Sequence, residues 1–280
     1  MSGQAMCEPI ERWTQKYPLS ASLAWMGFLF AIVLSVYTPA YETNDDVSMS
    51  MIASGTGIGV QPDEHLVFTH VAIGLLLKYL YIQMPSIPWY GSYLLGIHFL
   101  SQVAVLYAML KWRYSRAAAF CYLVLFAIAG VQLITRLQFT STAIWCVECG
   151  LFLAWNGLAL RRDAHGRGGW GMLVSGMTLM TLGSLVRFDS YLAAMAISAI
   201  PLSALVWELD RSTAPASRVW RTALATIVCT QIAAFGLQAA HQNYYSRDPA
   251  WREYLTFNRY RTRFNDHLLD SLHGGNQTRV

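Results

Sequence analysis

Near-continuous apolar runs separated by short polar stretches dominate the chain, and seven are clear: 19–39, 91–110, 117–134, 139–160, 170–186, 190–207 and 219–240. Each is about 17 to 22 residues long, the length that carries an α-helix across bilayer hydrocarbon at about 1.5 Å per residue. A soluble element would interleave polar positions at a period of 3.6 or 2, and these runs do not. Lipid offers the backbone no water, so each run must close its own hydrogen bonds as a helix. Trp13, Tyr17, Trp89, Tyr90, Trp112, Trp170, Trp207 and Trp220 stand beside run ends, where aromatic rings seat at the two membrane interfaces. The pattern predicts an all-α, polytopic transmembrane bundle of about seven spans over residues 1–240, followed by an amphipathic tail, 241–280.

One run is ambiguous. Residues 66–83, LVFTHVAIGLLLKYLYIQ, could cross, but they carry His70, Lys78 and several tyrosines and lead into the Pro-rich MPSIPWY. Charge separates the two topologies. If 66–83 crosses, Lys111, Arg113 and Arg116 share a side with the acidic first loop; if it lies in the interface, they fall on the other side. The positive-inside rule selects the second. Segments 1–18, 111–116, 161–169 and 208–221 then hold eleven Lys and Arg inside, against three outside before the tail: Lys78, Arg136 and Arg187. The expected protein is a multi-pass protein of the cell membrane. Its N-terminus is cytoplasmic, its tail is outside, and its long first extracytoplasmic loop contains an interfacial helix, 66–83. The tail's six Arg run against the rule, which weighs short loops and residues near span ends.

Composition agrees: 55% hydrophobic and 13% charged residues, with a mean hydropathy of +0.34, exclude an ordinary soluble domain. The first run is too long for a signal-peptide core and ends without a small-residue cleavage site, so it reads as a retained span. Four of the five cysteines lie in apolar runs and none in the outer loops, so no disulfide framework is expected. Cys146 and Cys149 form a C-x-x-C, but without a βαβ pattern or a second ligand pair at zinc spacing.

Polar chemistry gathers in segment 40–90 and in the tail. The first loop reads YETNDDVSMSMIASGTGIGVQPDEHLVF and holds Glu42, Asp45, Asp46, Asp63 and Glu64 with no Lys or Arg among them. Asp45 and Asp46 could ligate a hard divalent cation such as Mg²⁺ or Mn²⁺, deprotonate an acceptor hydroxyl, or simply be solvated. Gly55, Gly57 and Gly59 suit a turn and lack the Lys and Ser/Thr of a phosphate loop. LVRFDSY puts Arg187 and Asp189 in a tight outer hairpin. They could pair with each other, or Arg187 could bind a lipid phosphate through its fork while Asp189 orients it. Arg136, in TRLQFTST, is a second cation on that side, and Asp63 and Glu64 complete the substrate-binding candidates. Glu148, inside a span, is either functional or a hydrogen bond between helices. His70 and His98 read as packed or interfacial. The tail NYYSRDPAWREYLTFNRYRTRFNDHLLDSL reads as an amphipathic helix that caps the site or lies on headgroups. NQT near the end matches the glycosylation sequon, which matters only in a eukaryotic cell.

One span, a long outer loop with an acidic pair, a non-spanning segment and then a bundle of spans together resemble the GT-C class of multi-pass glycosyltransferases. NDDVSMSMIASG, PDEHLVFTHVAIGLLLKYLY with PSIPWY after it, LVRFDSY, and WREYLTFNRYR with Asp266 beyond resemble in more detail a group of bacterial membrane proteins, some associated with surface-polysaccharide synthesis. The resemblance spans roughly residues 19–270. It implies transfer of a sugar from a polyprenyl-phosphate carrier to an extracytoplasmic glycan or lipid acceptor. Asp45 or Asp46 would be base or metal ligand, with Mg²⁺ or Mn²⁺ as the cofactor, and Arg187 or Arg136 would meet the carrier phosphate. Membrane lipid is the expected surrounding partner, and no nucleic acid is expected. Members of the class usually continue with more spans beyond this tail, so the resemblance implies a truncated copy that lacks part of its site. A flippase or transporter of lipid-linked glycans would instead need polar residues along one face of several spans. A non-catalytic subunit would bind partner helices through small residues such as Gly171, Ser175 and Gly176.

Overall fold

The computed structural model describes residues 12–112, 115–163, 169–211 and 217–264. Cys7, Arg113, Arg167, Asp266 and the NQT triplet lie outside the described residues. The chain runs α1 (Pro18–Val36), β1 (Ala40–Tyr41), α2 (Asn44–Ser54), α3 (Val71–Gln83) and α4 (Trp89–Trp112). A rod follows, made of α5 (Arg116–Leu125), a π-helical turn (Phe126–Gly130) and α6 (Val131–Thr135). After it come β2 (Arg136–Leu137), α7 (Phe139–Asp163), α8 (Trp170–Val186), α9 (Phe188–Arg211), α10 (Ser217–Ser246) and α11 (Pro249–Phe264).

Among the described residues, six helical stretches are long and apolar enough to cross a membrane: α1, α4, the α5–α6 rod, α7, α9 and α10. α8 is apolar and 17 residues long, at the short end of the roughly 17–25 residues that span hydrocarbon. The fold is thus an all-α polytopic bundle, and the chain is a multi-pass membrane protein. α4 and α7 are its centre, 61% and 67% buried, whereas α1, the rod, α9 and α10 are only 22–28% buried and turn the remainder outward. Outward residues such as Phe28, Ile128, Ile200 and Ile232 are large and apolar, as a lipid-facing surface requires.

Small residues bring α7 and α8 together. Gly169, Gly176 and Gly183 stand seven residues apart, and Gly157, Gly150 and Ala143 meet them in reverse order on α7. A methyl group on Gly176 would come within 2.5 Å of the Gly150 carbonyl, so the two backbones touch. Gly171 has open space around it and Ser175 is exposed, whereas Gly176 packs within the chain. Glu148 accepts from Ser198 Oγ at 2.6 Å and so joins α7 to α9. Cys146 and Cys149 are buried free thiols, with Cys146 Sγ 3.2 Å from the Leu179 carbonyl.

Direction alternates so that one end of the bundle collects the C-termini of α1, α6, α8 and α10 with the N-termini of α4, α7 and α9. At this end β1 and β2 pair in parallel, Ala40 beside Arg136 and Tyr41 beside Leu137. α3 does not run through the bundle. Its 13 residues follow the N-cap His70, whose N–H bonds the Leu185 carbonyl at the end of α8, and include Tyr81, whose hydroxyl accepts from Tyr90 N–H at the start of α4. Both termini of α3 therefore meet the same end, and the helix lies across it. Its inner face (Val71, Ile73, Gly74, Leu77, Tyr81) is buried, while Leu75, Leu76, Tyr79 and Ile82 face out. The opposite end carries Lys111, Arg161, Arg211 and Arg221 at helix termini.

Candidate functional site

The loop end is assembled from the first loop outward. Thr43 caps α2: its Oγ1 accepts from Asp46 N–H at 3.4 Å and donates to Asp46 Oδ2 at 2.6 Å. Asp46 Oδ1 accepts from the Tyr90 hydroxyl and from Phe139 N–H, each at 3.0 Å. Asp46 is wholly buried; its Oδ1 ties α2 to the first turns of α4 and α7, while its Oδ2 closes on the cap of α2. Burial pushes its carboxyl above the ordinary value, against the pull of these three donors. Asp45, one residue earlier, is exposed.

Beyond α2 the chain folds back on itself. Gly55 has φ +70°, and a Cβ there would lie 2.3 Å from the Gln61–Pro62 backbone, so the glycine satisfies both the turn and the crossing. Gly74 of α3 serves a second close approach: a Cβ would sit 1.9 Å from the Glu64 carbonyl oxygen. This contact seats segment 63–65 on α3. Glu64 Oε2 is 2.5 Å from Lys78 Nζ, and Glu64 Oε1 accepts from the Tyr244 hydroxyl at 2.8 Å. Burial alone would raise the Glu64 carboxyl; Lys78 and Tyr244 outweigh it and hold the group below its ordinary value.

Asp63 and His65 form a local pair. Asp63 Oδ1 accepts the His65 backbone N–H at 2.8 Å and lies 2.6 Å from His65 Nδ1. A carboxylate oxygen can only accept, so Nδ1 carries the ring proton and Nε2 holds the lone pair in the neutral imidazole. Trp251 of α11 stacks on this ring at 4.9 Å and 13°, and Tyr245 of α10 meets it edge-on at 4.9 Å. The Tyr245 hydroxyl donates to the Leu66 carbonyl at 2.9 Å. One loop is thereby gripped by α3, α10 and α11. The ligand atoms of Asp63, Glu64 and His65 lie within 4.8 Å of one another. Asp63 Oδ1 and His65 Nδ1 already bond each other, both Glu64 oxygens are taken by Lys78 and Tyr244, and the Lys78 ammonium supplies the positive charge beside Glu64.

Two further imidazoles pin α10 to α3. His70 Nδ1 accepts Ala72 N–H at 3.1 Å as the cap of α3, so its proton sits on Nε2 and donates to the Leu237 carbonyl at 2.8 Å. His241 Nδ1 accepts Val71 N–H at 3.1 Å. Burial holds His70 below the ordinary imidazole value, which keeps the ring neutral.

Arg187 begins the α8–α9 turn. Its guanidinium lies 4.8 Å from the Phe139 ring centre and 5.5 Å from that of Phe68, and it donates to Thr140 Oγ1. Among the described residues no carboxylate pairs with it; Asp189 is exposed in the first turn of α9, and the buried Nε has no partner. Immediately beyond, Phe188 packs edge-on against Phe235 at 5.2 Å, and below this contact α9 and α10 part around an apolar cavity of about 450 Å³. Leu192, Met195, Leu224 and Phe235 help to line it, with Gln231 as a polar group. Arg136 is exposed on β2.

The structure therefore brings Asp46, Asp63, Glu64 and Arg187 to one end, with Asp45, Arg136 and Asp189 exposed there. Sequence reasoning did not single out His65, and it read Trp251 only as part of the tail's amphipathic stripe. Asp63 and His65, two positions apart in PDEH, were a readable signal; their roof of Tyr245 and Trp251 comes from residues about 180 positions downstream and was not. Compared with known proteins, the chain matches no family model, no curated protein and no solved structure. What fold and site define is a class: a polytopic helical membrane protein whose polar groups are concentrated at one end of the bundle.

Proposed function

We propose that this protein is a membrane glycosyltransferase that moves a sugar from a polyprenyl-phosphate donor to an acceptor at the extracytoplasmic surface. The carrying observation is Arg187: a guanidinium without an acidic partner among the described residues, held against two stacked phenylalanine rings, one residue before Phe188, whose ring packs on the end of an apolar cavity between two membrane helices. A phosphate monoester or diester supplies the missing charge in a bidentate geometry, and its prenyl chain fits a cavity lined by side chains that lipid also solvates. Loop 40–90, whose Phe68 touches Arg187, lies on the side where the acceptor would approach. Asp45, exposed on α2, is an open carboxylate of this loop for a divalent cation or for the acceptor. The same cavity and cation would serve a flippase. The tether Glu148–Ser198 disfavours a polar path through the bundle, because that carboxylate is engaged between helices.

The test is made in two parts. Polyprenyl monophosphate binding to protein in nanodiscs should weaken at least about tenfold in Arg187→Ala, equivalent to about 1.4 kcal/mol. Filling the cavity with Leu224→Trp should weaken it as well. In cells whose surface glycan changes when the gene is deleted, Arg187→Ala should reproduce that change. An Arg187→Ala protein that inserts normally, binds the lipid as wild type does and restores the glycan would sink the reading.

A further inference from the structure

Resting on the transferase reading, we infer that His65, with Asp63 fixing its tautomer, accepts the proton of the attacking hydroxyl. A general base needs a free lone pair, a fixed orientation and restricted access of water. The acids of the first loop divide on these criteria. Asp46 is buried with both oxygens bonded, and Glu64 is neutralised by Lys78 and Tyr244. Glu42 and Asp45 are exposed to water. The His65 imidazole meets all three. Asp63 takes the Nδ1 proton, so Nε2 presents its lone pair; Trp251 covers one face of the ring, Tyr245 stands edge-on, and only 10% of the side chain is exposed. Asp63 itself is 38% exposed, so the pair opens toward the surface from which an acceptor arrives.

In the proposed step the acceptor oxygen forms a bond to the anomeric carbon while its O–H bond breaks, and the proton passes to His65 Nε2. The bond from the anomeric carbon to the carrier-phosphate oxygen breaks, and its electron pair stays on the phosphate, whose charge Arg187 meets. Ionised Asp63 stabilises the imidazolium that results. Among the described residues, other groups near the ring are Glu64 with Lys78 of α3, the titratable Tyr244, Tyr245 and His241 of α10, and Arg247 at the end of the same segment. Because Glu64 and Lys78 neutralise each other, Asp63 is the charge in direct contact with the ring.

The experiment uses membranes containing the full chain, supplied with the tritiated lipid-linked sugar fraction of the same cells, and measures transfer across pH 5–8. Polyprenyl monophosphate binding to the same proteins in nanodiscs is measured in parallel. His65→Gln, which keeps a polar side chain of similar reach, should lose about 100-fold in transfer while binding the lipid normally. It should also lose the decline of rate toward acid that an imidazole base imposes. Asp63→Asn should lose about tenfold or more with lipid binding intact, because the carboxamide neither fixes the tautomer nor stabilises the cation. Transfer by His65→Gln at the wild-type rate, with the wild-type pH profile, overturns the inference and leaves the transferase reading standing. Loss of lipid binding in His65→Gln overturns it too, since the residue would then build the donor site. Absence of transfer by the wild type removes both.

Discussion

At the residue scale, neighbouring side chains of one type receive opposite fates. Asp45 and Asp46 are adjacent and identical in sequence, yet one is in water and the other is a wholly buried tether between three helices. Only the cap geometry of Thr43 and the arrival of Tyr90 and Phe139 separate them. His70 carries a consequence for pH. Its depressed value means that the folded protein binds the proton less well than the unfolded chain, so its contribution is fully present above the ordinary value near 6.5 and is lost as pH falls below it. Protonation puts a donor on Nδ1 against the Ala72 N–H, which destroys the cap of α3. Thermal stability in detergent should therefore drop as pH falls below about 6.5, and His70→Asn, which still caps but does not titrate, should show a shallower drop. An equal slope in wild type and variant would exclude His70 as a source.

At the element scale, the glycine spacing decides which helices touch. Gly176→Leu drives a side chain into the Gly150 carbonyl, so α7 and α8 must separate; the cost is about 1–3 kcal/mol or more for an overpacked contact. Gly171→Ala, on the open side of α8, should be neutral or slightly stabilising, because a helix gains from alanine where space is free. Thermal unfolding in detergent compares the two, and similar melting temperatures would show that the α7–α8 contact does not limit stability. α11 illustrates the other kind of element. Trp251, Leu255 and Asn258 turn inward while Tyr254, Phe257 and Tyr260 are exposed, so the tail helix docks by one stripe and presents aromatic rings on another. The sequence showed the amphipathic pattern, but not that its inner stripe ends on His65.

At the scale of the whole molecule, the arrangement of α3 determines the topology. Because both its ends meet one end of the bundle, loops 40–90, 136–138 and 187–188 share a side with α11, and the basic termini share the other. The positive-inside rule predicts that the loop end faces outward. Single cysteines at Ser86 and Ser115, both exposed, in a background with the native cysteines replaced, should label differently in intact cells. An impermeant thiol reagent should reach position 86 and not 115. Labelling of 115 alone would invert the bundle and move the site to the cytoplasmic face.

Residue pattern by itself determined the membrane-length helices, though not α2 in the first loop or the start of α3 at Val71, since lipid-length apolar runs leave a backbone no alternative to closing its own hydrogen bonds. It also determined which residues were polar enough to matter, because charge is scarce and collects at the run ends. It could not determine partners. Whether Arg187 pairs with Asp189 two positions away, whether Asp46 or Asp45 is free, and whether PDEH stands alone or beneath Trp251 depend on contacts between segments up to about 180 residues apart. Apolar periodicity carries no record of such contacts, because it records which face is dry and not what lies against it. Only the packed tertiary structure, in which α10 and α11 return to the first loop, turned a set of scattered polar residues into one site.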